Sequence, residues 1–302
     1  MTGVFIGTDA FAAGVLTAMV GTSEAPSLVI TRPDSAKGRG RQLSPPPVAV
    51  AAAELGIDFI QPEDIGDASV LAAIDAIDPP ALALCAYGAI IKEPLLSARP
   101  ILNLHPSLLP RWRGAAPIER ALMAGDDETG VSIIQLVEAL DAGPMAAQES
   151  LTVTPVEDFA SLSARLIELG ARMLGASLAA AREGSLSFVD QPTEGLTYAE
   201  RIEAQDRLLG TSGNAEDAAR VVRALFPHIG ARLELPSGDF VGVREASAEQ
   251  DGPSQGVFEE QDGDLLVGFS SGALRVTRLT PSGGREMTSS DWLRGRPELG
   301  PS

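Results

Sequence analysis

Short apolar runs alternate with longer stretches of helical period through the first half of the chain. Residues 3–7 (Gly-Val-Phe-Ile-Gly) and 27–31 predict strands. Residues 81–86 form a continuous apolar run of the kind that fills a central parallel strand, and 101–104 predict the next strand. Between these runs, an Ala-rich stretch ending near Val20 and residues 48–55 and 68–77 predict helices, with a short strand at 58–60. Residues 32–47 are crowded with Gly, Pro and charge and are expected to be irregular. Such alternation predicts an α/β domain with a Rossmann-like, doubly wound, mostly parallel sheet and right-handed crossovers.

A helix at 116–124 then leads to strands at 131–137 and 145–152, which flank a Gly-Pro turn at 138–144. A long helix, 158–182, closes this domain. From residue 207 the texture changes: a helix at 214–226 is followed by short alternating segments at 232–235, 240–243, 265–269 and 273–279, separated by Gly- and Asp-rich turns. That pattern predicts a small OB-like β-barrel. The expected division is a catalytic α/β domain over 1–188, a linker over 189–206 and a C-terminal barrel over 207–302.

The 302 residues suffice for two cores, and no apolar run reaches the roughly 20 residues of a membrane span. No signal peptide heads the chain, so a cytoplasmic protein is expected. Cys85 is the one cysteine, which excludes an intrachain disulfide and a cysteine-rich metal site. Within its apolar run it is expected to be a buried core thiol. A net charge of -18 opposes bulk attraction to nucleic acid, yet Arg32, Lys37, Arg39 and Arg41 cluster against the single acid Asp34, and Arg111 and Arg113 make a second basic point.

The candidate chemistry sits at the end of the strand at 101–104. Asn103 and His105 alternate with Leu104, so in an extended chain they share a face. An amide donor can stabilise a developing oxyanion, an imidazole can give or take a proton, and a carboxylate such as Asp141 can orient it. A hydrogen-bonded structural histidine is the plain alternative for His105. The only other histidine, His228, is expected to be structural. No Gly-x-Ser-x-Gly elbow supports a serine hydrolase, no G-x-G-x-x-G or P-loop lysine supports a nucleotide cofactor, and no cluster requires a metal.

Several segments together resemble the methionyl-tRNA formyltransferase family. They are Lys-Gly-Arg-Gly-Arg (37–41), Ser-Pro-Pro-Pro-Val (44–48), Ala-Tyr-Gly (86–88), Asn-Leu-His-Pro-Ser-Leu-Leu-Pro-Arg-Trp-Arg-Gly-Ala-Ala-Pro-Ile (103–118), Glu-Thr-Gly-Val (128–131), Leu-Asp-Ala-Gly (140–143) and Thr-Tyr-Ala-Glu (197–200). The resemblance covers nearly the whole chain and weakens after about residue 210. It implies formyl transfer from (6S)-10-formyltetrahydrofolate, as co-substrate, to the amino group of initiator methionyl-tRNA. By the same resemblance Asn103, His105 and Asp141 match the catalytic trio. Ser107, Leu108, Leu109 and Pro110 match a folate-contacting segment, and Leu84, Ala86, Tyr87 and Gly88 would line the pterin pocket. Lys37, Arg39 and Arg41 match a loop at the tRNA acceptor end; Arg111 and Arg113 either join them or anchor their own loop. A monomer is expected.

The chain departs from the family at Gly7-Thr8-Asp9, where Gly-Thr-Pro is common, and at Leu208-Leu209-Gly210, where an Asp-Trp pair is usual. Lysine is absent after Lys92, so any tRNA contact by the second domain would use arginines such as Arg220, Arg223 and Arg232. A formyltransferase acting on an amino sugar or other small amine is the nearest alternative. A folate-binding protein without turnover and a formyltetrahydrofolate hydrolase are further ones. The basic loop and the second domain favour tRNA.

Overall fold

The computed structural model describes residues 3–37 and 42–296. By its packing the chain divides into two compact units. The first comprises the described residues to Gly114 with Thr129–Leu151 and Ser163–Tyr198; the second takes in Ala115–Glu128, Thr152–Leu162 and the chain from Ala199 onward. This division differs from the expected 1–188, 189–206 and 207–302. The helix Pro117–Ala124 explains much of the difference, since it packs against the helix Ala215–Leu225 of the second unit.

The first unit is built on a seven-stranded sheet. Its order is Met145–Thr152, Glu128–Gln135, Ile101–His105, Leu82–Cys85, Gly3–Gly7, Pro26–Ile30 and Asp58–Ile60. The strands from Ile101–His105 to Asp58–Ile60 run parallel, and Glu128–Gln135 pairs antiparallel with Ile101–His105. Leu82–Cys85 is buried along its whole length, as its unbroken apolar run requires when helices cover both faces. The chain fills one side of Gly3–Gly7 first and then crosses to the other, so the order reverses between Gly3–Gly7 and Leu82–Cys85. In an open α/β sheet, that switch leaves a crevice beyond the carboxyl ends of the strands. Gly7 is required there: a Cβ on it would lie 2.8 Å from the Cys85 carbonyl oxygen.

Residues 32–47 are less irregular than expected. Ser35–Lys37 and Gln42–Ser44 pair as a short antiparallel hairpin, in register Ser35 with Ser44. Glycine and proline rule out a helix but leave extended backbone free to pair. The departure at Asp9 has a structural role, because its side chain caps the helix Ala10–Met19 by accepting the Ala12 N–H at 2.9 Å.

The second unit carries an antiparallel sheet ordered Ala231–Glu234, Phe240–Glu249, Ala273–Pro281, Asp264–Gly268 and Phe258–Gln261, with Met287–Thr288 added to Ala273–Pro281. Phe258–Gln261 was not predicted, its Glu-Glu-Gln sequence giving no apolar alternation. The helix Ala215–Leu225 lays Ala219, Val222 and neighbouring apolar residues into the core with Leu233, Val243, Val267 and Leu274. Leu209 joins this core, which gives the second departure from the family pattern a packing role. Among the described residues no helix is long and apolar enough to cross a membrane.

Candidate active site

Asn103 and His105 lie on the strand Ile101–His105 at its carboxyl end, beside the topological crevice. Asn103 stands between Leu84 and Ile134 on the neighbouring strands, and His105 opposite Ser132. Asn103 is half-buried, and among the described residues no hydrogen bond occupies its amide. His105 is buried but has two polar neighbours. Its Nε2 is 2.8 Å from the Trp112 carbonyl oxygen, and its Nδ1 is 3.7 Å from Asp141 Oδ2. A carbonyl can only accept, so Nε2 carries hydrogen and donates to Trp112. Proton exchange is thereby left to Nδ1, the nitrogen that faces the carboxylate. The side chains of His105 and Asp141 are only 6% and 12% exposed, so their charges are poorly screened.

Asp141 adopts φ 46°, a left-handed conformation uncommon for a residue with a side chain. Its Oδ2 accepts the Gly114 N–H at 2.8 Å. Trp112 is likewise left-handed, at φ 64°, and its N–H donates to Thr197 Oγ1 at 2.9 Å. The short stretch after the strand therefore fixes both members of the His105/Asp141 pair.

The segment 107–110 is held by main-chain contacts more than by exposed side chains. Ser132 Oγ donates to the Ser107 carbonyl at 2.7 Å and accepts the Leu109 N–H at 3.1 Å. Gln148 Nε2 donates to the Leu109 carbonyl at 2.9 Å and to Ser132 Oγ at 2.9 Å. The Ser107 hydroxyl donates to the Arg111 carbonyl at 2.7 Å. Ser107, Leu109 and Pro110 are buried, and Leu108 is partly exposed. What this segment can present to a ligand is shaped backbone and Leu108.

At the end of the next strand, Leu84 is buried, Ala86 has φ 43° and Gly88 has φ 75°, a sharp reversal at the mouth of the crevice. Arg32 Nη1 donates to the Gly88 carbonyl at 3.3 Å, and the Tyr87 carbonyl accepts from Thr8 Oγ1 at 2.8 Å. Burial pushes the Tyr87 hydroxyl up, partly offset by Arg32 and reinforced by Asp64. Cys85 is buried, and burial, with the Asp9 charge as a smaller contribution, pushes its thiol well up, as suits a core residue.

Arg39 and Arg41 lie outside the described residues, as does the side chain of Lys37. Arg111 stacks over the Trp112 ring at 4.3 Å. Arg113 gives its guanidinium to Gln191 Oε1, from Nε at 3.1 Å and Nη2 at 2.6 Å. In the second unit Arg220 pairs with Asp217, Arg223 lies 3.9 Å from Glu216, and Arg232 stacks over Phe240 at 4.8 Å. His228 Nε2 donates to the Glu119 carboxylate at 2.9 Å and its ring stacks on Phe159, which accords with a structural role.

Residues that sequence reasoning did not single out are Ser132, Gln148 and Gln191, while Thr197 appeared only within a matching segment. Ser132 offered a signal, since a lone hydroxyl inside an apolar strand needs a partner. The other two offered none.

Two family profiles match the chain: formyl transferase over residues 4–178 and formyl transferase, C-terminal domain, over residues 201–297. A methionyl-tRNA formyltransferase of Halorhodospira halophila is 40% identical, over 97% of this chain and 96% of that protein. One from Methylobacillus flagellatus is 40% identical with the same coverage. Among solved structures, an N-formyltransferase from Helicobacter canadensis in complex with folinic acid and dTDP-3-aminofucose superposes with a TM-score of 0.66 at 13% identity. It covers 91% of this chain and 98% of that one, a likeness of fold.

Proposed function

The chain belongs to the methionyl-tRNA formyltransferase family, and on that footing we propose how its own residues carry out the reaction. The enzyme moves a formyl group from a folate to the free amino group of methionyl-tRNA. The methionine nitrogen bonds to the formyl carbon, the bond from that carbon to the folate nitrogen breaks, and one amine proton is exchanged for the formyl group. We take the donor to be (6S)-10-formyltetrahydrofolate, the acceptor to be the initiator tRNA and the compartment to be the cytoplasm, where charged tRNA is found.

One observation carries the assignment of roles: among the described residues the Asn103 amide has no hydrogen-bond partner, at the carboxyl end of the strand that also bears His105. Asn103 is placed to donate to the carbonyl oxygen as it gains negative charge. A preorganised donor of this kind contributes about 10²–10³ in rate. His105 Nδ1 takes up and returns the proton, and Asp141 stabilises the ring while it is charged. Ser107–Pro110 and the reversal after Leu84 offer backbone groups and an apolar floor, which fits a flat heteroaromatic ring with amide-like edges. Arg39 and its neighbours supply charge for the acceptor end of the tRNA.

The test incubates the purified protein with 10-formyltetrahydrofolate and, in parallel, methionyl initiator tRNA, a nucleotide-linked amino sugar, or no acceptor. Formylmethionyl-tRNA should form, at a rate that falls steeply with added salt. Faster formylation of the amino sugar, or formate release as the main product, would overturn the reading.

A further inference from the structure

We propose that Gln191 is a positioning residue for formyl transfer, setting the Asp141 carboxylate against His105 through the backbone of the 141–143 turn. The inference rests on the reading of His105 and Asp141 as the proton-handling pair.

The left-handed backbone of Asp141 is a conformation that must be held from outside, because a side-chain-bearing residue seldom adopts it unsupported. Gln191 supplies the hold. Its Nε2 donates to the Asp141 carbonyl at 2.7 Å and to the Gly143 carbonyl at 2.8 Å, spanning the turn. Its Oε1 accepts both bonds from Arg113. All four hydrogen-bonding positions of the amide are thus used, which fixes its orientation. Gln191 is delivered by the bridge between Met145 and Val189, whose N–H groups and carbonyls bond reciprocally at 2.7 and 2.9 Å.

The opposite side of the pair leads back to the same place. Trp112 holds His105, Arg113 holds Gln191, and Gly114 holds the Asp141 carboxylate, so three consecutive residues govern the separation of imidazole and carboxylate. Gly143 closes the turn where a Cβ would lie 1.8 Å from the Gln135 carbonyl oxygen, so the turn has little room to adjust. Loss of Gln191 would free the Asp141 backbone and let its carboxylate drift. The geometry also assigns Arg113 to this clamp instead of to tRNA.

Gln191→Glu is the decisive variant, because it is isosteric and still accepts from Arg113 but has no N–H for the two carbonyls. Its kcat should fall on the order of 100-fold, the loss expected for a misplacement near 1 Å, with KM for tRNA and donor little changed. Gln191→Ala should behave alike if it folds, as checked by its thermal midpoint. Added to Asp141→Asn, Gln191→Glu should cost no more than about 3-fold further, since both act through one carboxylate. Arg113→Lys should lower kcat without raising the KM for tRNA. Near-normal kcat in Gln191→Glu, or losses that multiply in the double variant, would overturn the role of Gln191 while leaving the pair intact. Normal turnover by Asp141→Asn would overturn the pair, and the role of Gln191 with it.

Discussion

Replacing Ser132 by alanine isolates the hydroxyl on which the 107–110 segment hangs. Ser132 is fully buried on the strand opposite His105, and its Oγ serves three partners: the Ser107 carbonyl, the Leu109 N–H and the Gln148 amide. In the alanine variant Gln148 keeps its bond to the Leu109 carbonyl, but the Ser107 carbonyl and the Leu109 N–H lose their partner. Each stranded backbone group costs about 1–3 kcal/mol, so the variant should be destabilised by roughly 2–6 kcal/mol. That corresponds to a fall of roughly 4–24 °C in the unfolding midpoint for a domain of this size. Ser107→Ala is the internal control. Its hydroxyl has one partner, the Arg111 carbonyl, and its loss should cost about 1 kcal/mol. Differential scanning calorimetry of the two variants beside wild type measures the difference, and the KM for the folate donor shows whether the loosened segment binds it. Because the segment is proposed to hold the donor, KM should rise in Ser132→Ala more than kcat falls. A midpoint within a degree of wild type for Ser132→Ala would refute the reasoning.

Three further outcomes follow from the same structure. Burial and the nearby Asp9 charge push the Cys85 thiol up, so iodoacetamide at pH 8 should leave the native protein unmodified and label it once in denaturant; mass spectrometry decides, and native labelling at the rate of a free thiol counts against the core placement. Desolvation raises the Asp206 carboxyl, but the hydrogen bonds from Arg120 and the Glu203 N–H outweigh it and bring the group below its usual value. A lowered carboxyl stabilises the folded state above the unfolded value and loses that contribution as pH falls through the folded one. Arg120→Met should therefore cost about 1.5 kcal/mol in urea unfolding at neutral pH, and the difference from wild type should shrink as pH falls below the ordinary carboxyl value of 3.8; an unchanged difference would contradict the linkage. Gly143→Ala should lower turnover at least tenfold by displacing the 141–143 turn, with the circular dichroism of a folded protein; full activity would show that the turn yields freely.

The parts of this molecule legible in the sequence are those governed by local period. The unbroken apolar run at Leu82–Cys85 and the pairing of Asn103 with His105 on one strand face both follow from side-chain alternation, and both stand where that rule puts them. The hairpin at Ser35–Lys37 and Gln42–Ser44 was missed because Gly and Pro argue against helix without arguing against backbone pairing. The strand Phe258–Gln261 was missed because its acidic residues carry no alternation. The packing units cut across the sequence division because the helix Pro117–Ala124 has its packing partner about a hundred residues later. The same limit governs the site. Asp141 was legible as an acid in a Leu-Asp-Ala-Gly turn, but its conformation is set by Gln191, 50 positions away, through hydrogen bonds that leave no trace in hydropathy. Arg113, conspicuous as a charge in a basic loop, proves to be occupied by that same glutamine.

Formyl transfer is proposed to take place at the strand end bearing Asn103 and His105, with Asn103 donating to the oxygen of the reacting carbonyl. Single-turnover formylation of methionyl-tRNA by Asn103→Ala, at saturating donor and with binding of the donor measured separately, tests it most directly. The rate constant should fall about 10²–10³-fold with donor affinity little changed. A rate within a few-fold of wild type would contradict it.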